Sequence, residues 1–183
     1  MARMAPSEST SIHAADRADQ VLLGNLLELY VHDLSESFPF VELGADGRFG
    51  YPDLDLYWSE PARRSPFLIK QGGKVAGFAL VKQGSPAAEE ADVFDLAEFF
   101  VLRGERRCGV GQRAASLLWN QLRGPWTVRC SESAPSALAF WSKAVTEFTH
   151  GDHQTSAWSG RASQFRVFHF NSSLPLPWPQ SSR

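Results

Sequence analysis

Arg106-x-x-Gly109-x-Gly111 is the run of residues in this chain best suited to chemistry. Two glycines one residue apart, at the entry to an apolar helical stretch, let backbone amides close on a phosphate at the positive end of a helix. No Gly-Lys-Ser/Thr comes after it, as a nucleotide P-loop needs. The third glycine of a dinucleotide fingerprint is also missing. The same glycine pair would serve equally well in a plain tight turn, so the elements around it decide between the two readings.

Those elements are legible from periodicity. Ser9 to Ala14 reads as a short first strand, and Asp16 is placed to cap the first helix. Val21, Leu22, Leu26, Leu29 and Tyr30 recur at three- and four-residue spacing, which predicts that helix from Ala18 to about Asp33. From Leu34 to Pro66 the pattern breaks into Gly, Pro, Asp and aromatic residues, an ordered loop with short helical turns. Phe67 to Gln71, Gly72-Gly73 and Val75 to Gln83 form a hairpin signal. After the loop Gly84 to Asp92, the run Val93 to Leu102 predicts an apolar strand of central-sheet type. The glycine run then opens a helix from Gly109 to Leu122, closed by Arg123-Gly124-Pro125. Trp126 to Cys130 predicts a strand, Pro135 to Phe148 a helix, and Gln164 to Phe170 a last strand. There are no internal repeats.

Composition narrows the function classes. At 183 residues, 43% hydrophobic and 21% charged, the chain has the make-up of one soluble globular domain. Residues 1–8 form an expected frayed leader, 9–170 the domain and 171–183 a Pro- and Ser-rich tail, ordered only around Trp178. A formal net charge of −2 gives no basic footprint for nucleic acid and suits an amine partner better. Cys108 and Cys130 are too few for a disulfide framework and lie in no metal-ligand pattern, which points to a reducing compartment and no metal. No run of Met1 to Thr10 has signal-peptide character, and no stretch reaches the ~18 apolar residues of a membrane span. A cytoplasmic location, without membrane or nucleic-acid partners, is therefore expected.

With this element order, Arg106-x-x-Gly109-x-Gly111 resembles the Arg/Gln-x-x-Gly-x-Gly/Ala motif of the GNAT N-acetyltransferase superfamily. Ala134-Pro135-Ser136-Ala137-Leu138-Ala139-Phe140-Trp141 resembles that family's Asn-x-x-Ala-x-x-Phe-Tyr-like stretch. The resemblance spans about residues 9 to 170. It implies an α/β GNAT-like fold: a mixed, mostly antiparallel twisted sheet of six to seven strands with helices on both faces. It also implies acetyl-CoA as co-substrate and direct acetyl transfer to a small-molecule or peptide amine. Family members commonly dimerise, which puts a homodimer among the expected assemblies. A reading of another class is a non-catalytic CoA-binding regulatory or interaction module of the same fold.

The same resemblance assigns residues. Backbone groups of Phe99, Phe100 and Val101 would pair with the pantetheine arm like an added strand, with an amide near Phe100 or Val101 facing the thioester oxygen. Amides of Cys108, Gly109, Val110, Gly111 and Gln112 would hold the pyrophosphate, with Arg106 and Arg107 adding charge. Phe140 and Trp141 belong to the cofactor side. Many members carry a Glu or His eleven residues before the motif, and here that position is Asp95, the first choice for general base. Asp95 shares strand parity with Phe99 and Val101, and the competing reading makes it a solvated residue at a strand start. Glu98 points to the other face, where pairing with a cation such as Arg103 is the main expectation and catalysis the second. Trp141 stands where the family commonly has a tyrosine, and indole is no acid. A water, Ser142, Ser133 or a loop tyrosine would then protonate the thiolate, unless it leaves without help. Tyr51, Asp53, Asp55, Tyr57 and Trp58 fall in the segment that borders the acceptor pocket in the family, where carboxylates with aromatic walls suit a cationic amine; a satellite core is the competing reading. His150 and His153 read as a surface turn, Cys108 as a passive thiol and Cys130 as core.

Overall fold

The structure, a computed structural model, describes residues 9–160 and 163–173. The leader and most of the tail, including Trp178, lie outside them. Seven strands form one sheet in the order β1-β2-β3-β4-β5-β7-β6. The strands are β1 (Thr10–Ala14), β2 (Arg64–Gln71), β3 (Lys74–Gln83), β4 (Phe94–Val101), β5 (Pro125–Ser131), β6 (Gln154–Ser159) and β7 (Gln164–Asn171). The β4–β5 pair is parallel, whereas β1–β2, β5–β7 and β6–β7 are antiparallel. The helices are α1 (Gln20–Ser35), α2 (Leu56–Ser59), α3 (Val110–Gln121) and α4 (Pro135–Thr149). The mixed, mostly antiparallel sheet expected from the sequence is the one found.

The chain divides into two compact units, the first comprising residues up to Val81 together with Glu98–Leu117. Here β1 lies along β2 from Thr10↔Gln71 to Ala14↔Phe67, and Gly72 and Gly73 turn β2 into β3 with φ of 57° and 82°. Asp16 does cap the turn that leads into α1: its side chain accepts from the Ala18 amide at 2.7 Å, and Asp19 reaches back to the Asp16 amide at 3.1 Å. Helix α1 buries Leu23, Leu26 and Leu27 against Leu68, Phe78, Leu80 and Phe100. Each such side chain contributes about 1.5–3 kcal/mol by leaving water. On the opposite face Ile69, Ala76 and Val101 pack with Val110 and Ala114 of α3.

Ala76 and Phe78 have the same parity yet pack in opposite clusters, so side-chain alternation in β3 breaks at Gly77. A Cβ on Gly77 would overlap the Phe100 carbonyl oxygen and come within 3.0 Å of Val101 Cα. Only glycine allows this approach of β3 to β4. The Leu102 amide donating to the Ala76 carbonyl at 2.8 Å fixes it.

The second unit comprises Lys82–Ala97 and the residues from Leu118 onward. Its core is aromatic: Trp119 meets Phe148 at 4.9 Å and Phe170 at 5.0 Å between ring centroids. β7 pairs with β5 from Pro125↔Asn171 to Ser131↔Phe165. Strand β6 was not foreseen from the sequence. It is an edge strand, five of whose six residues are exposed, so it has no apolar alternation to betray it. His150, in the left-handed conformation at φ 53°, ends α4 and leads into β6 through His153.

Candidate active site

Two places in the first unit carry chemistry. One is the turn from β4 into α3. Arg107 and Gly109 have positive φ, 63° and 79°, on either side of Cys108. That alternation of handedness folds successive amides toward one side, as an anion cradle requires. The first intrahelical bond of α3 joins the Arg113 amide to the Gly109 carbonyl at 3.0 Å, so the cradle lies on the helix N-terminus.

Arg106 does not supply charge to that cradle as expected. Its Nε donates to the Val101 carbonyl at 2.7 Å, and its terminal nitrogen donates to Asp33 at 2.7 Å. Its guanidinium lies over the Phe100 ring. Asp33 also accepts from Arg103 at 2.7 Å, so the cation expected beside Glu98 pairs with α1 instead. Burial pushes the Asp33 carboxyl up, but bonds from the two arginines outweigh it and hold the group below its ordinary value. The motif arginine thus ties α1 to the end of β4. Arg107 and Cys108 are exposed on the turn.

The arginine beside the cradle is one that sequence reasoning missed. Arg113 donates from Nε to Thr10 Oγ1 at 2.9 Å and from a terminal nitrogen to the Cys108 carbonyl at 3.0 Å. Another terminal nitrogen lies where a Cβ on Gly109 would come within 2.5 Å, so the guanidinium lies against the glycine. Four-residue spacing from Gly109 was the available signal.

The second place is Glu98. It is half-buried on the α1 side of β4, in line with Phe100, on the face its parity indicated. Tyr30 of α1 donates to Oε2 at 2.6 Å, and Tyr51 of the loop after α1 donates to Oε1 at 3.0 Å. The Tyr30 ring is held edge-on against Phe78. Burial, then the charge of Glu98, push the Tyr51 phenol far above its ordinary value, so it stays protonated and donates. The Tyr51 loop is anchored by Glu28, which accepts from the amides of Phe49 at 2.7 Å and Gly50 at 3.0 Å. The Phe49 bond is the main reason the Glu28 carboxyl lies below its usual range. Between α1 and this loop is a cavity of about 490 Å³ whose lining includes Gly24, Glu28, Phe49, Tyr51 and Leu54.

Of the five residues expected at an acceptor pocket, Tyr51 alone lines this cavity. Tyr57 is 1% exposed in the α1 core with Trp58 packed beside it, the satellite-core outcome. Asp53 and Asp55 are exposed, and Asp55 accepts from the Gln20 side chain.

Asp95, the first choice of base, lies in the second unit. Asp95 is neither solvated nor open: it is fully buried. Its Oδ1 accepts from Ser85 at 2.9 Å, Thr127 at 3.0 Å and Arg129 Nε at 3.0 Å. Its Oδ2 accepts from Arg129 at 2.8 Å and has Lys82 Nζ at 3.8 Å. Two cations and two hydroxyls thus enclose the carboxylate. Trp141 is also buried, 6.3 Å from Trp119 between centroids, and fills core; Phe140 beside it is half-buried. At the end of β5, Ser131 Oγ meets Ser133 Oγ at 2.7 Å and Ser163 Oγ at 3.1 Å. The β4–β5 register runs from Phe94↔Trp126 to Leu96↔Val128, so Phe99–Val101 lie beyond it. Among the described residues no group of three or more His, Cys, Asp or Glu gathers as a metal site, and no helix is long and apolar enough to cross a membrane.

The profile of the acetyltransferase (GNAT) family matches residues 26–144. The chain belongs to that family, and it is an N-acetyltransferase of the GNAT type. No curated protein sequence matches it. Among solved structures, an acetyltransferase from Thermus thermophilus is similar with a TM-score of 0.63 at 19% identity, over 90% of this chain and 99% of the other. YncA of Salmonella typhimurium, solved with its cofactor acetyl-CoA, is similar at TM-score 0.59 and 13% identity over 94% and 99%. A Vibrio cholerae spermidine N-acetyltransferase, solved with CoA and spermine, is similar at TM-score 0.61 and 10% identity over 90% and 96%.

Proposed function

We propose that the chain transfers acetyl from acetyl-CoA directly to an amine, with Glu98 as general base. The observation that carries the reading is the Glu98 carboxylate, set on β4 with a phenol on each of its oxygens. Neutral donors orient a carboxylate while leaving it basic. The cradle fits the co-substrate: Arg107 and Gly109 turn the backbone, α3 presents its positive end, and Arg113 stands beside it.

Bound acetyl-CoA would supply a thioester. Amides of Cys108–Gln112 would hold its pyrophosphate, and the backbone of Phe99–Val101 would line its pantetheine arm. Glu98 accepts a proton from the attacking amine, a contribution of about 10²–10⁴ in rate. An amide near Phe100 or Val101 takes the developing oxyanion. Gly77 and Arg106 fix that stretch of β4 from two sides. The thiolate then takes a proton from water, which an ordinary thiol pKa of about 8.5 allows without a side-chain acid. The S. typhimurium structure, solved with acetyl-CoA, and the V. cholerae spermidine N-acetyltransferase, solved with CoA and spermine, support the cofactor and an amine acceptor through their shared fold.

The test is calorimetric titration with acetyl-CoA, then thiol release with spermidine and with a peptide bearing a free N-terminal alanine. Gly111→Trp should abolish binding. Glu98→Gln should lose about 10²–10⁴ in kcat with the KM for acetyl-CoA unchanged. Unaltered turnover in Glu98→Gln removes the base. A folded chain that binds acetyl-CoA and releases no thiol with either amine is the non-catalytic binding module instead.

A further inference from the structure

Tyr30 and Tyr51 come from different elements, α1 and the loop after it, and no sequence motif links them to Glu98. Yet each donates to a different oxygen of the same carboxylate, at 2.6 and 3.0 Å. A carboxylate offers about four lone-pair directions. One donor leaves it free to rotate about its last bond, whereas two donors on different oxygens fix its plane. From this geometry we infer that Tyr30 and Tyr51 act as positioning residues, a two-phenol clamp that orients Glu98 and sets its affinity for the proton it takes. The inference rests on the reading of Glu98 as the base.

The kind of donor decides how far proton affinity falls. Neutral donors on the ionised form favour that form, so they lower proton affinity; a full cation on the same oxygens would lower it much further. Two neutral phenols therefore favour the ionised form of Glu98, and less strongly than a cation in their place would. The packing of the clamp supports rigidity. Tyr30 packs against Phe78 at 5.7 Å and Phe100 at 5.8 Å, ring to ring, and the backbone carbonyl of Phe100 lies close against Gly77. Tyr51 is held through the Glu28 anchor of its loop. Charged and titratable groups around the clamp include Asp53 and Tyr57, both of which act on Tyr51, and the Arg106–Asp33–Arg103 set at the end of β4. Tyr51 also lines the cavity, so the clamp joins the acceptor side to the base.

The test reads the carboxylate directly and needs no acceptor. The full chain is labelled with ¹³C at glutamate side-chain carboxyls, and Glu98→Gln assigns the Glu98 resonance by its disappearance. Titrations then track that resonance in wild type, Tyr30→Phe, Tyr51→Phe and the double variant. Phenylalanine keeps both rings, so the Phe78–Phe100 packing survives. Each single variant should raise the Glu98 midpoint by about one pH unit, about tenfold in proton affinity, and the double variant should raise it further. Hydroxyls that served only stability would lower the melting temperature without moving the midpoint. That result in either folded single variant overturns the clamp. The two readings fail separately: full turnover in Glu98→Gln removes the base, while unmoved midpoints remove the clamp.

Discussion

Asp95→Asn separates a structural carboxylate from a catalytic one. In the folded chain both oxygens are occupied, and nothing of the residue is exposed. Asparagine keeps an oxygen for Ser85 and Thr127 but turns an amide, without charge, toward Arg129. Arg129 has only 16% of its side chain exposed and its guanidinium lies 5.5 Å from the centre of the Trp158 ring. Stranding one member of a buried pair costs about 3–5 kcal/mol. Partial access of Arg129 and Lys82 to water puts the expected loss at the low end, about 3 kcal/mol, against a total stability of about 5–15 kcal/mol. For a chain of this size each kcal/mol moves the melting temperature by about 2–4 °C, so a drop of about 6–12 °C is expected. Thermal and urea denaturation measure it, and thiol release per folded molecule at a temperature where both proteins are folded measures the rest. Turnover should stay within a few-fold of wild type. A variant of unchanged stability that has lost turnover would refute the reasoning and restore Asp95 as the base.

The remaining predictions rest on separate contacts. Gly77→Ala forces β3 from β4 at Phe100 and strains the Leu102–Ala76 bond, so urea denaturation should show a loss of about 1–3 kcal/mol or more. Ellman's reagent at pH 8 should modify the exposed Cys108 at once and reach Cys130 only on unfolding, because burial pushes the Cys130 thiol up to about 11. The unfolded thiol ionises near 9.0, so Cys130 should make stability fall as pH rises from there to about 11, and Cys130→Ala should flatten that limb. Asp33→Asn frees Arg103 and Arg106 and should cost about 1 kcal/mol or less, since both arginines are well exposed. That difference should be full above the ordinary aspartate value of 3.8 and vanish as pH falls through the lower folded-state value, as melting curves from pH 7 downward would read.

What the sequence alone determined is what neighbouring residues encode. Apolar spacing gave α1, α3 and α4 to within a few residues, and Gly72-Gly73 gave the β2–β3 hairpin. Glycine spacing at 109 and 111 located the turn into α3, because a turn of that kind depends on local backbone freedom alone. Strand parity put Glu98 on the face opposite Asp95. The rest depended on contacts between residues far apart in the chain, for which local patterns carry no signal. Asp95 looked open at a strand start, and Arg129, 34 positions later, closes it. Arg106 was expected to add charge beside the pyrophosphate, and Asp33, 73 positions earlier, pairs with it. Tyr30 and Tyr51 reach Glu98 across 68 and 47 positions, and α1 with its loop had to fold onto β4 before they could meet. Strand β6 lies at a sheet edge with water on most of its side chains, so burial never selected an apolar alternation there. Periodicity reports which side of an element is buried; only the tertiary structure decides which charge meets which, because that choice is made by packing and desolvation rather than by sequence distance.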